Sequence, residues 1–194
     1  MSDRNRCAWL NVAPDWQARV MPAWSELLAD QLDWHWKNLL RPRLDGLTDD
    51  EYLWEPVAGC WSVRRDGIDF AFPAPEPAPF TTIAWRMAHV IVGVFAVRNH
   101  HHFGGPPADY QRWPYALDAA TALRQLDDAY AGWIAGVRGL DESALARPIG
   151  AAEGPWAERT MAELVLHIHR EAIHHGAEIA CLRDLYAHRP DRKD

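Results

Sequence analysis

The chain has 194 residues, 48% hydrophobic and 24% charged, a composition that fits one globular domain and excludes a disordered chain. A net charge of −7 argues against a nucleic-acid partner, which a basic face would recruit. No apolar run reaches the roughly 18 residues that span a bilayer, and Met1-Ser-Asp-Arg-Asn-Arg6 lacks the apolar core of an export signal, so a cytoplasmic protein without a membrane partner is expected.

Residues 1–21 read as an amino-terminal extension. The first helix runs from Pro22 to Leu40. Trp24, Leu27, Leu28, Gln31, Leu32 and His35 recur at three- and four-residue steps, and Pro42 is expected to stop it. His35, set among tryptophans in Asp33-Trp-His-Trp36, is a candidate for lining a pocket. A long connection follows, with one capped turn, Thr48-Asp-Asp-Glu51. Next comes Gly59-Cys-Trp-Ser-Val63, whose Trp61 is a candidate pocket wall. Pro73, Pro75, Pro77 and Pro79 read as extended polyproline-type surface chain.

The second helix starts at an N-cap of Thr81 or Thr82 and ends near His102, before Gly104-Gly-Pro-Pro107. Its segment Val90–Val97 is rich in β-branched residues, but its length favours a buried helix over a strand. The third helix runs from the cap Asp118 to about Val137. The fourth starts at Thr160, in capping-box form with Glu163, and reaches about Tyr186. Residues 22–188 therefore form one all-α domain, a four-helix bundle whose long connection between the first two helices is able to cross it, and residues 189–194 are a polar tail.

Tryptophan at 11 and histidine at 10 are abundant for this length. The tryptophans read mainly as packing anchors. His100-His101-His102 reads as a helix end, where imidazoles favour the exposed carbonyls. Cys7, Cys60 and Cys181 form no CxxC and read as reduced, mostly buried thiols.

The fourth helix concentrates the chemistry in Leu166-His-Ile-His-Arg-Glu-Ala-Ile-His-His-Gly-Ala-Glu-Ile179. Met161, Leu164, Ile168, Ile179 and Leu182 make an apolar stripe if Glu171 and His175 fill its two gaps. His169 then falls on the opposite side, and His167 and His174 flank the stripe. One turn separates Glu171 from His175, about 6 Å along the axis, so their heads converge. A carboxylate and an imidazole on a core stripe must be satisfied by an arginine, by each other or by a metal ion. His89, embedded in Arg86-Met-Ala-His-Val-Ile-Val92, offers a second imidazole from a facing helix. Two imidazoles and a carboxylate make a divalent-metal centre with positions left open for substrate, and a buried Glu–His network is the alternative. His167, one turn before Glu171, is an alternative ligand. His174 is placed to orient Glu171 or to shuttle a proton. No catalytic residue is assigned.

Phe80-Thr-Thr-Ile-Ala-Trp-Arg-Met-Ala-His89, His167–Ile179, Leu182-Arg-Asp-Leu-Tyr186 and Leu47–Pro56 with Gly59–Val63 resemble the DinB-like superfamily, from roughly Pro22 to Tyr186. The resemblance implies a four-helix bundle holding one divalent ion, Zn2+ or Ni2+, on His89, Glu171 and His175. Many members place HxxxH on the fourth helix. The Glu171–His175 form is similar to that of the mycothiol-dependent maleylpyruvate isomerases, which carry an additional carboxyl-terminal domain. The implied activity is transfer or isomerisation of a small-molecule substrate, with a low-molecular-weight thiol of the mycothiol type as co-substrate. A homodimer is expected by analogy. Hydrolysis by a metal-bound hydroxide and a non-catalytic, stress-associated metal-binding protein are the alternatives.

Overall fold

Pro22 and Ala23 lead into α1 (Trp24–His35), the start of the first of four helical rods in a computed structural model that describes residues 22–190. The amino-terminal extension, Cys7 with it, and the end of the polar tail lie outside the described residues. The first rod runs on through π-helical turns (Trp36–Leu40) into α2 (Arg41–Arg43). Pro42 therefore does not stop the helix where expected. A proline ring collides with the carbonyl four residues back. The turn opens just before it, so that the Arg41 N–H reaches the Trp36 carbonyl five residues away.

The connection holds α3 (Asp49–Tyr52), capped by Thr48, and a hairpin of β1 (Val63–Arg64) and β2 (Gly67–Ile68). Pro73, Pro75 and Pro77 are exposed, as read, and Pro79 is half-buried. Thr82 then caps α4 (Ile83–His89) by accepting from the Trp85 N–H. The second rod continues through π-helical turns (Val90–Ala96) into α5 (Val97–Phe103), which Gly104 ends in the left-handed conformation at φ 70°. The third rod is α6 (Ala119–Arg138), capped by Asp118. Two short elements not read from the sequence follow, α7 (Glu142–Ala146) on an Asp141 cap and a 3-10 segment (Ala151–Trp156). The fourth rod, α8 (Met161–Ala187), opens on the expected capping box of Thr160 and Glu163.

The protein is all-α apart from the two-residue strands. α6 packs on α1, α4, α5 and the Val90–Ala96 turns, while α8 packs on α1, α4 and the same turns. The second rod thus lies between the third and fourth, with the first across from it, and the long connection crosses the bundle. Gly176 lets α8 close on the first rod, because a Cβ there would lie 2.7 Å from a Leu40 methyl.

The buried arc of α8 takes in Met161, Leu164, Val165, Ile168, His169, Ala172, Gly176, Ile179 and Leu182. His169 is therefore buried, at 1% exposure, not opposite the core as expected. Ala172 and Gly176, too small to announce themselves as core, shift the buried face toward His169 and leave Glu171 at its other rim. Among the described residues neither ring nitrogen of His169 has a hydrogen-bond partner, and its ring meets Trp133 edge-on at 6.1 Å. Burial pulls its pKa down to about 4, which keeps it neutral. Cys60 is buried, whereas Cys181 is exposed on α8.

Asp33 ties the first rod to the third. Its carboxylate, 8% exposed, accepts from Tyr130 Oη at 2.5 Å, Lys37 Nζ at 2.7 Å and the Arg138 guanidinium at 3.1 Å. The Tyr130 ring also stacks on Trp36 at 3.9 Å. Burial raises the Asp33 carboxyl, but the bonds from Lys37, Tyr130 and Arg138 outweigh it and hold the group at about 2. A carboxyl lowered on folding stabilises fully above its unfolded value and loses that contribution as pH falls through the folded one. Asp33→Asn should lower stability at pH 7 by about 2 kcal/mol. In denaturant titrations the deficit should stay constant down to about pH 4, then shrink toward pH 2 as the wild-type carboxylate is protonated.

Candidate metal centre

His89 is the last residue of α4, and Glu171, His174, His175 and Glu178 lie on successive turns of α8. Across this seam the His89 and His175 rings meet at right angles, with centroids 4.7 Å apart. His175 Nε2 lies 3.6 Å from Glu171 Oε2. The three side chains singled out from the sequence thus come together at the rim of the core, His175 12% and Glu171 28% exposed at the side chain.

The remaining ring nitrogens are engaged. His175 Nδ1 lies 2.6 Å from Glu178 Oε2, and a carboxylate only accepts, so Nδ1 carries the proton. Nε2 is then the ring atom turned toward Glu171. Glu178 Oε2 also accepts from Arg86 of α4 at 2.6 Å, which ties the two helices together three residues before His89. His89 Nδ1 pairs with the Tyr110 hydroxyl at 2.8 Å, and His89 Nε2 makes no hydrogen bond among the described residues. Burial, helped by His175 and Arg86 and opposed by Glu171, pulls His89 down to about 4, so the ring is neutral near pH 7. Burial pushes the Tyr110 hydroxyl up to about 12, which keeps its proton.

Gly93, one turn after His89, makes room for this contact, since a Cβ there would lie 1.9 Å from Tyr110 Oη. It sits in the π-helical turns, and its carbonyl accepts from the Arg98 guanidinium. Aromatic rings lead away from the seam. Trp85 stacks on His89 at 5.7 Å, Trp61 lies 6.1 Å from Trp85, and the exposed Phe70 lies 6.3 Å from Trp61. Trp61 is thus one ring removed from His89.

The other candidates fall in different places. His167 Nδ1 lies 3.5 Å from Glu171 Oε1 and accepts from Arg170 at 2.7 Å. The exposed His174 faces Glu178 at 3.6 Å and not Glu171, because the residue four positions on is its neighbour along the helix. No hydrogen bond, ion pair or ring contact joins His35 to the three residues among those described, and its buried Nε2 has no partner. His100 pairs with the Gly105 carbonyl and His102 with Glu153, ordinary contacts for a helix end.

Among the described residues, His174, His175 and Glu178 form the one group of three His or carboxylate residues whose ligand-type atoms all lie within 4.8 Å of one another. Glu178 is already held there by Arg86 and by His175 Nδ1. Sequence reasoning missed Glu178, Arg86, Tyr110 and Gly93. The HHxxE spacing of His174, His175 and Glu178 was the available signal for the first, whereas nothing local marks Tyr110.

The sequence profile of the DinB superfamily matches residues 31–179, a span that includes His89, Glu171 and His175. The chain belongs to the DinB superfamily. This superfamily is generally metal-binding, and His174, His175 and Glu178 of α8 form a His/Glu group of that character. No curated protein and no solved structure matches the chain. No helix among the described residues of this DinB-superfamily protein is long and apolar enough to cross a membrane.

The Glu178 contact predicts a single tautomer for His175. In chelator-treated protein, nitrogen-15 NMR should find the His175 proton on Nδ1 alone. In Glu178→Ala, which removes the acceptor, both tautomers should be populated.

Proposed function

We propose that this protein is a divalent-metal-dependent enzyme that holds Zn2+ or Ni2+ through Nε2 of His89 and His175 and the carboxylate of Glu171. It works on a small-molecule electrophile with a low-molecular-weight thiol of the mycothiol type, as a transferase or isomerase. The observation that supports the site is the facing pair of His175 Nε2 and Glu171 Oε2 at 3.6 Å. With Nδ1–H donated to Glu178, Nε2 is the ring atom left facing Glu171, and a cation between the two would satisfy both. Two nitrogens and a carboxylate oxygen suit Zn2+ and Ni2+.

An ion held there supplies a Lewis acid that lowers the pKa of a bound thiol or water. The chain's own residues set the conditions for it. Glu178 and Tyr110 fix the two imidazoles through their far nitrogens, as supports of ligating histidines do. Among the three ligands only Glu171 carries negative charge, with Arg170 3.6 Å from it, and Glu178 is paired with Arg86. A dication then leaves one positive charge, which suits an anionic sulfur. Trp85 and Trp61 shield one flank from water. The thiol itself is supported by the family resemblance.

Elemental analysis of untagged protein tests the site. Wild type should retain close to one ion per chain, and His89→Ala and Glu171→Ala should each lose it. Full retention by both variants would overturn the assignment. Glu178→Ala should weaken metal affinity by about 10–100-fold without abolishing it. For the reaction, a panel of thiols with electrophilic substrates should show loss of free thiol that depends on Glu171. Ester hydrolysis without thiol would move the assignment to a hydrolase, and turnover in neither assay would leave a metal-binding protein.

A further inference from the structure

A cavity of about 530 Å3 lies along the amino-terminal half of α8, between it, Arg98 of α5 and the 3-10 segment. Glu163, Leu166, His167 and Arg170 line it from α8, and the same helix face passes directly to Glu171 and His174. His167 lies against both spaces, since it lines the cavity and its Nδ1 is 3.5 Å from Glu171. On the opposite wall, Arg98 donates to the Gly93 carbonyl one turn beyond His89. The cavity therefore adjoins the His89–Glu171–His175 cluster.

Its charges are unequally satisfied. Glu153 is taken up by Arg98 at 3.1 Å and His102 at 2.9 Å. Glu163 accepts from Arg159 at 2.8 Å and caps Thr160. Arg170 is the most loosely paired of the three lining arginines. It donates to a neutral acceptor, His167 Nδ1, and its nearest carboxylate oxygen, on Glu171, is 3.6 Å away. The apolar part of the wall includes Trp156, 60% exposed, and Leu166, 52% exposed, with Ile149 and Leu164 buried behind. An indole that open, with the Arg159 guanidinium 6.0 Å from its ring centroid, beside an Arg170 guanidinium whose carboxylate is 3.6 Å away, fits a flat apolar body carrying an anion.

We propose that this cavity is the binding site for the second substrate, and that it takes an aryl or arylalkyl carboxylate. The carboxylate lies on Arg170 and the ring against Trp156 and Leu166, which brings the molecule to the edge of Glu171. This rests on the reading of His89, Glu171 and His175 as the reaction centre.

The test uses 4-fluorobenzoate, observed by fluorine-19 NMR, on the full chain and on its His89→Ala variant, both treated with chelator. Saturable binding is expected in both. Arg170→Ala and Trp156→Ala, changes at well-exposed side chains, should each weaken it by about tenfold, and the neutral 4-fluorobenzamide should bind about tenfold more weakly than the acid. Equal binding of the amide, insensitivity to both substitutions or lack of saturation would overturn the proposal. So would loss of binding in His89→Ala alone, which would put the carboxylate on the histidines. Because the readout is made without metal, its failure is separate from failure of the metal site, which is read by metal content.

Discussion

Glu178 bridges the two helices that matter most to this site. One of its oxygens accepts from Arg86 of α4 and from His175 of α8, each at 2.6 Å. The first bond sets how the helices lie against each other, and the second sets the tautomer of His175. Charge-assisted bonds of this kind hold geometry better than neutral ones, and at side-chain exposures of 21% for Arg86 and 30% for Glu178 they are only partly screened by water. The His89–His175 contact and the His175 Nε2 facing Glu171 both depend on that carboxylate staying where it is.

The second support is steric. Val90–Ala96 is a fully buried stretch in which β-branched residues crowd around Gly93. The π-helical turns widen the helix there, the kind of local irregularity that collects at functional sites. The space left by the missing side chain at Gly93 is filled by Tyr110 Oη, which then reaches His89 Nδ1. Arg98 takes the Gly93 carbonyl and extends to Glu153, linking the same turn to the wall of the neighbouring cavity. One glycine thus serves the histidine on one side and the cavity on the other.

The sequence carried the four rods clearly, because Thr82, Asp118 and Thr160 cap three of them and the apolar residues of all four keep a helical period. It carried His89, Glu171 and His175 as well, since polar residues at core-like positions demand an explanation. His169 was misplaced for the converse reason. Its buried face is built on Ala172 and Gly176, which weigh little in an apolar pattern yet permit the closest packing. Pro42 misled because a widened turn absorbs the clash that would otherwise end a helix. Tyr110 was invisible, as it comes from a loop and reaches its partner through a gap that only the folded chain creates.

The division of labour among the rods follows from where each places its charges. His89, Glu171 and His175 come from the second and fourth rods alone, and so do Arg86 and Glu178. The first rod offers His35, which shares no hydrogen bond, ion pair or ring contact with the cluster among the described residues. Its own buried charge, Asp33, is turned instead toward Tyr130 and Arg138 of the third rod. That carboxylate joins the first and third rods on the side of the bundle away from the cluster's own two helices. At the half-buried rim beside Glu171, two imidazoles and one carboxylate meet where the core gives way to solvent.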